Sequence, residues 1–166
     1  MPPRRRLVRL AFSLLLAAII AVVGVDVAGN PVPTPSATNQ EAVTVERVVD
    51  GDTIALAGGQ KVRLIGIDTP ELARGGRPAE PYGEAAKSHL ETLIGNQTVR
   101  LERDVSERDK YQRLLRYVFL GEINVSIQMV RDGYARSSTY PPDVKYQEEI
   151  RAAEREARAA RRGLWQ

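Results

Sequence analysis

Cysteine is absent from the 166 residues, and histidine occurs once, at His89. Without cysteine the chain has no disulfide framework, no thiolate metal site and no cysteine nucleophile. A single histidine gives no indication of a zinc site either. His89 falls within a predicted helix, and we expect a solvated position for it, since nothing else indicates a Ser-His-Asp triad.

A strong excess of one charge is also missing. The chain carries 24 Lys and Arg against 21 Asp and Glu, a formal net charge of +3. Four of these cations precede residue 10, so that 20 basic residues face 19 acidic ones from residue 43 onward. The surplus belongs to the N-terminal segment, where positive charge orients membrane insertion. Overall charge therefore does not argue for nucleic-acid binding.

One long apolar run is present, LAFSLLLAAIIAVVGV at residues 10–25, directly after the basic stretch MPPRRRLVR. This order is typical of a secretory signal peptide. The run is somewhat short for a spanning helix, which needs about 20 residues, although about 17 can suffice. We expect residues 1–28 to be a cleaved signal peptide or a hydrophobic anchor helix. Either places the protein outside the cytoplasm, secreted or membrane-anchored.

The remaining chain divides into a linker and one domain. Residues 29–42 are rich in Pro, Ser, Thr and Asn, which predicts a flexible linker. Residues 43–166 are long enough to bury a core of their own. Strands are predicted at residues 43–56 (interrupted by a turn or bulge at Asp50-Gly51), 61–69, 97–103 and 114–120.

Helices are predicted at residues 83–94 and 127–131, the second capped by Ser126, and a last helix opens at Pro141-Pro142-Asp143. Its apolar stripe contains Ile150, Ala153, Ala157, Ala160 and Leu164. Residues 71–81 hold two glycines and two prolines and predict an exposed loop. Five short strands with helices between and after them indicate an α+β fold built on a small barrel of the OB type.

Two acidic clusters are candidate sites: DGDT at residues 50–53 and DTPE at residues 68–71. Hairpin pairing across residues 57–60 brings their segments together, and facing carboxylates suit a hard cation such as Ca²⁺ or Mg²⁺. Taken alone, each cluster is better explained by ordinary turn chemistry than by a metal site.

Arginine in an apolar strand strengthens the case for a site. Arg63 lies among Val62, Leu64 and Ile65, where an unpaired charge is costly. In a regular strand it projects from the face opposite to Asp68, and a bend at Gly66 would bring the two together. Arg63 then pairs with a carboxylate or awaits an anionic ligand. A third cluster, DKYQR at residues 109–113, combines cations and an aromatic ring that suit a phosphate and a stacked base. Taken alone, this pentapeptide is better explained as a charged surface turn.

Together these motifs resemble the staphylococcal nuclease (thermonuclease) family. The resemblance spans residues 43–165 and rests on the ordered set DGDT, VRLIGIDTPE, YGEAA, DKYQR, VRDGYA and a closing helix with GLW. It implies a five-stranded OB-fold β-barrel with three α-helices. It further implies a Ca²⁺-dependent endonuclease that hydrolyses DNA and RNA, single-stranded substrates preferred, and leaves 3′-phosphate ends. We expect a monomer.

The resemblance also implies roles for individual residues. Asp52 and Asp68 would bind Ca²⁺ through their carboxylates and Thr69 through its carbonyl. Glu71 would activate the attacking water, while Arg63 and Arg113 would hold the phosphate. Three further residues match nucleotide-contacting positions: Lys110, Tyr111 and Tyr140.

Three positions depart from the family pattern. Gln112 stands where glycine is frequent, which can alter the turn that aims Arg113. Ser138 replaces an aromatic residue that contacts the nucleotide, and Ser126 replaces a helix-capping asparagine. The alternative function is a catalytically silent OB module that binds single strands or a protein partner, which needs aromatic side chains and a basic groove instead of a metal pair.

Overall fold

The computed structural model describes residues 40–166, so that the expected signal or anchor segment and most of the expected linker lie outside it. The strands in chain order are β1 (Gln40–Asp50), β2 (Thr53–Leu56), β3 (Lys61–Leu64), β4 (Ile67–Asp68), β5 (Thr98–Glu102), β6 (Leu114–Leu120), β7 (Ile123–Asn124) and β8 (Arg136–Ser137). The helices are α1 (Gly83–Ile94), α2 (Val125–Arg131) and α3 (Gln147–Ala159), followed by a 3₁₀ turn (Gly163–Trp165).

Five strands in the described residues close a barrel in the order β3-β2-β1-β5-β6. Neighbours are antiparallel except at the closure, where β3 pairs with β6 in parallel. The long strand β1 serves two partners: residues 40–44 pair with β5, and residues 45–50 pair with β2. Two register shifts, between Val45 and Arg47 and between Val48 and Asp50, bend the part of β1 that pairs with β2. Closure by β3 and β6 leaves no exposed barrel edge in the described residues. The predicted α+β class and the five-stranded barrel with three helices are confirmed.

Strand β1 begins three residues before the expected domain boundary at residue 43. Residues 40–42 were assigned to the linker because of their polar composition. They instead align with β5, with Gln40 opposite Glu102. Backbone pairing with a neighbouring strand, which composition does not reveal, extends the folded part toward the N-terminus.

The barrel and the helices bury one continuous apolar core. Helix α1 contributes Ala86, Leu90 and Ile94 of the face that its periodicity predicted, while Leu93 of that face is only half-buried. Helix α3 contributes three residues of the predicted stripe, while Ala160 is exposed and Leu164 lies in the 3₁₀ turn. Most of the barrel interior is β-branched or leucine, including Val45, Ile54, Val62, Leu64, Val99 and Leu101.

Two predicted helix starts are wrong. Asn124, not Ser126, caps α2, because its side chain accepts a hydrogen bond from the Ile127 N–H. Ser126 is fully buried and donates to the Ile65 carbonyl at 2.9 Å. Helix α3 begins at Gln147 instead of near Pro141, because Asp143 accepts hydrogen bonds from two backbone N–H groups of another loop.

His89 is not the solvated residue that we expected. Its Nε2 lies 2.9 Å from Asp132 Oδ2, and its ring stacks on Tyr134 with 4.1 Å between centroids. This contact joins α1 to the end of α2. The periodicity of α1 could not show it, since both partners lie more than 40 residues away in sequence.

Gly66 bends the chain between β3 and β4. Its φ of 86° lies in the left-handed region, and a Cβ there would overlap Ile150 Cδ1 in the core. Because of this bend, the side chains of Arg63 before it and Asp68 after it lie on the same side, as their hydrogen bond shows. Among the described residues, no helix reaches the length and apolar character that a membrane span requires.

The bend gives a first prediction, for which Gly58 is the matched control. The two glycines have nearly the same φ, 86° at Gly66 and 88° at Gly58, but only Gly58 faces open space. Gly58→Ala should lower the free energy of unfolding by about 1–2 kcal/mol through the left-handed backbone alone. Gly66→Ala should lower it by about 1–3 kcal/mol more through overpacking against Ile150. Urea denaturation measures both, and equal losses would contradict the assigned contact.

Candidate active site

Asp52 lies in the turn between β1 and β2, and its side chain is buried against the segment after β4. Its Oδ2 accepts hydrogen bonds from the backbone N–H and the hydroxyl of Thr69, each at 3.2 Å. Its Oδ1 accepts from the Thr53 hydroxyl at 3.0 Å. Gly51 permits this approach, since a Cβ there would lie 2.7 Å from Thr69 Oγ1. The two acidic clusters of the sequence therefore meet.

Burial raises the pKa of the Asp52 carboxyl to about 7, against the lowering effect of the Arg63 guanidinium. The neighbouring Asp50 carboxylate adds to the increase. A short contact with Arg63 would by itself predict the opposite shift, and desolvation outweighs it because the carboxylate is 90% inaccessible. The charged form of Asp52 thus requires more positive charge than one guanidinium supplies.

Arg63 joins Asp52 to Asp68. Its Nη1 contacts Asp52 Oδ2 as an ion pair without hydrogen-bond geometry, and its Nη2 donates to Asp68 Oδ1 at 3.1 Å. Strand β3 holds Arg63 opposite Thr53 of β2. The bend at Gly66 brings Arg63 and Asp68 to one site, as the sequence predicted. Of the two alternatives left open for Arg63, pairing with carboxylates is the one observed.

The oxygen atoms around Arg63 have the chemistry of a hard-cation site. Asp52 and Asp68 both present carboxylate oxygens toward the same guanidinium, and Asp68 is half exposed, at 53%. Within residues 40–166, no three His, Cys, Asp or Glu side chains are grouped as a metal site. Two carboxylates, if completed by carbonyl or water oxygens, would suit Ca²⁺ or Mg²⁺ better than zinc.

Glu71 lines a cavity of about 550 Å³ that also contains Asp52, Arg63 and Arg113. Its backbone is held at both ends: the Glu71 N–H donates to Glu80 Oε2 at 3.3 Å, and its carbonyl accepts from the Glu80 N–H at 2.8 Å. The Glu71 side chain is exposed. A carboxylate is therefore available at the cavity wall.

Arg113 is aimed by a tight turn before β6. Asp109 accepts from the Arg113 Nε at 2.6 Å and from its backbone N–H at 3.0 Å. The Arg113 Nη1 donates to Thr53 Oγ1 at 3.3 Å, and that hydroxyl donates to Asp52. A hydrogen-bonded chain thus connects Arg113 to the buried carboxylate. Gln112, the residue before it, adopts a φ of 65°, which explains the glycine frequent at this position.

A second cavity of about 510 Å³ lies on the other side of the two arginines. Lys110, Tyr111 and Tyr140 line it, with the two tyrosines 68% and 69% exposed. Three residues, Arg63, Tyr111 and Arg113, line both cavities and form the ridge between them. Ser138 contributes its backbone N–H to the Gly66 carbonyl at 2.9 Å.

Three residues that position the site were given no role by the sequence. Asp109 holds Arg113, Thr53 connects Arg113 to Asp52, and Asp143 fixes the loop that carries Tyr140. Asp109 and Thr53 lie within the DKYQR and DGDT clusters, so the sequence motifs could have indicated both residues. The Asp143 carboxylate bonds the N–H groups of Val105 and Ser106, and no local pattern reports such a contact.

Gln112 gives a second prediction. Its left-handed backbone costs an L-residue about 1–2 kcal/mol, and glycine avoids this at an entropic cost of about 0.5–1 kcal/mol. Gln112→Gly should therefore raise the free energy of unfolding by up to about 1 kcal/mol. Gln112→Ala keeps the Cβ and should give no such gain. A glycine variant no more stable than the alanine variant in urea denaturation would contradict the strain.

Comparison with known proteins places this arrangement in a family. A profile described as "Staphylococcal nuclease homologue" matches residues 61–166. A thermonuclease of Staphylococcus intermedius is 41% identical over 129 residues, covering 76% of this chain and 77% of that protein. A thermonuclease of Staphylococcus hyicus is 36% identical over 159 residues, covering 92% and 94%. Endonuclease YncB of Bacillus subtilis is 36% identical over 140 residues, covering 80% and 66%.

These relatives, all nucleases by name, support a nuclease function, that of an enzyme that hydrolyses nucleic acid. The barrel, the three helices and the meeting of the DGDT and DTPE segments agree with such a function. The chain belongs to the staphylococcal nuclease family.

Proposed function

We propose that the chain is a Ca²⁺-dependent endonuclease that cleaves DNA and RNA, prefers single strands and leaves 3′-phosphate ends. The observation that carries the proposal is the position of Arg63. It contacts both Asp52 and Asp68 and lines the same cavity as Glu71 and Arg113. Residues with the chemistry for metal binding, for phosphate binding and for proton transfer thus surround one space.

Asp52, Asp68 and the carbonyl of Thr69 would hold the Ca²⁺. The raised pKa of Asp52 supports this assignment, because a buried carboxylate beside another carboxylate is stabilised by added positive charge. When bound, the ion supplies Lewis-acid stabilisation of the negative charge that grows on a phosphodiester during attack.

Arg63 and Arg113 would bind the scissile phosphate. Their planar guanidiniums can each offer two parallel N–H donors to phosphate oxygens, which lysine cannot do. Both are held by carboxylates and by the barrel strands, so their donors are positioned before the substrate arrives. Donors fixed in advance stabilise a transition state at low reorganisation cost.

Glu71 would accept the proton of the attacking water. It is an exposed carboxylate beside the two arginines, with its backbone closed by Glu80. Tyr111 on the ridge, together with Lys110 and Tyr140 beyond it, would bind the nucleoside. The exposed rings of the two tyrosines offer faces on which bases stack without strong sequence preference.

Export of the enzyme completes the proposal. The basic stretch and the apolar run of residues 1–28 support a location outside the cytoplasm, either released after cleavage or held at the membrane. We further propose that the enzyme acts as a monomer.

The third prediction concerns metal dependence. The purified full-length chain should degrade single-stranded DNA and RNA with added Ca²⁺ and should stop when a chelator is added. Mass spectrometry of the products should find 3′-phosphate ends. Binding of nucleic acid without any cleavage in Ca²⁺ would refute the enzyme and support a silent OB module.

The fourth prediction concerns the assigned roles. Glu71→Gln should lower kcat by about 10²–10⁴-fold, the usual contribution of general-base catalysis. Arg113→Ala should lower it by about 10²–10³-fold through loss of charge stabilisation. The Glu71 side chain is exposed, so the thermal unfolding midpoint of Glu71→Gln should change little, whereas Arg113→Ala loses its ion pair with Asp109 and should fold with a lowered midpoint.

Glu84→Gln and Arg155→Ala are the matched controls. Both residues are exposed, and neither lines the two cavities. They remove the same charges as the test variants and should retain wild-type turnover. Near-wild-type turnover in Glu71→Gln or Arg113→Ala would refute the corresponding role.

A further inference from the structure

The loop after Glu71 contains a small hairpin with an arginine at each end. Arg74 and Arg77 exchange two backbone hydrogen bonds, each 3.0 Å long, around Gly75 and Gly76. The two glycines have φ values of 57° and 82°, the positive angles that a type I′ turn requires at both central positions. The turn therefore defines the pairing of the two arginines.

This pairing places two like charges on one face. Residues directly opposite each other in an antiparallel pair project to the same side, and in a hydrogen-bonded pair their Cα atoms are about 5.5 Å apart. Like charges in that position are destabilising. An anion between the two guanidiniums removes the repulsion.

No carboxylate of the described residues takes that place. Among residues 40–166, neither Arg74 nor Arg77 forms an ion pair or a side-chain hydrogen bond, unlike Arg63 and Arg113. Yet Glu80 and three other carboxylates line the same cavity. The two arginines are thus cations of the cavity wall without a protein partner in the described residues.

The arginine pair and the proposed catalytic residues line the same cavity. Arg74 and Arg77 line the 550 Å³ cavity together with Glu71, and neither lines the cavity of Lys110 and Tyr140. The ridge of Arg63, Tyr111 and Arg113 lines both cavities. A strand with its scissile phosphate on the ridge and a nucleoside at Tyr140 would continue toward the arginine pair.

We propose that Arg74 and Arg77 form a second phosphate subsite, which binds a backbone phosphodiester of the same strand on the Glu71 side of the scissile bond. This assignment rests on the proposed function, because it requires that the nucleic-acid strand lies across the ridge with its scissile phosphate at Arg63 and Arg113. Two forked guanidiniums on one face match the oxygens of one phosphate. The subsite lengthens the region over which the protein holds its substrate.

The test measures binding without turnover. The full-length chain, purified in mild detergent and kept in chelator, is titrated with a fluorescent single-stranded oligonucleotide at several salt concentrations. The Arg74→Gln/Arg77→Gln variant should bind about tenfold more weakly, as expected for lost hydrogen bonds to a charged group. Loss of one neutralised phosphate should also reduce the slope of log Kd against log salt by about 0.7.

The control removes the same charge elsewhere. Arg155→Gln/Arg161→Gln alters two exposed arginines of the C-terminal region that line neither cavity. It should bind like wild type, with an unchanged salt slope. Equal Kd values and slopes in the two double variants would overturn the subsite, whether both equal wild type or both are weaker.

Failure of the subsite and failure of the proposed function give different results. A chain that binds the oligonucleotide but never cuts it in Ca²⁺ refutes the nuclease, and the comparison of Kd values still supports or overturns the subsite. A wild-type chain that binds no oligonucleotide overturns the subsite as well. The turn is formed by Gly75 and Gly76, so both substitutions leave it intact, and equal thermal midpoints verify this.

Discussion

The ion pairs of Arg63 with Asp52 and Asp68 are the interaction on which the rest of the site depends. They connect the turn after β1, the strand β3 and the bend at Gly66. Arg63 offsets part of the cost of burying Asp52, but not all of it, since the pKa of that carboxyl remains raised. Additional positive charge near Asp52 would therefore stabilise the charged form of its carboxyl. The buried carboxylate thus connects the architecture of the barrel to the metal binding that we propose.

Glycines at turns make this arrangement sterically possible. Gly51 lets Asp52 approach Thr69, and a side chain there would also meet Ala86 at 2.9 Å. Gly75 and Gly76 form the turn that pairs two arginines on the cavity wall. Gln112 adopts the left-handed backbone conformation that glycine adopts without strain. Asp109 stabilises this turn by accepting hydrogen bonds from the N–H groups of Tyr111 and Arg113. Backbone conformation thus controls where each charge points.

Much of the fold could be predicted from local sequence patterns. The apolar periodicity of α1 predicted its bounds and most of its buried face, and a segment rich in β-branched residues indicated strands β1 and β2. Failures occurred where distant residues decided the outcome. Ser126 is held by the Ile65 carbonyl instead of capping α2, and Asp143 bonds a separate loop, so that α3 starts later than its prolines suggested. His89 likewise contacts distant residues, since it pairs with Asp132 and stacks on Tyr134.

The sequence by itself determined which chemical groups are present and their order: two acidic clusters, an arginine within an apolar strand, and a basic, aromatic turn. These depend on residue type and short spacing, which a linear pattern contains. Only the tertiary structure decided that Asp52 is buried, that one guanidinium reaches two carboxylates, and that Arg113 connects to Asp52 through Thr53. These contacts join residues up to 60 positions apart, and their energies depend on solvent exclusion by the closed barrel.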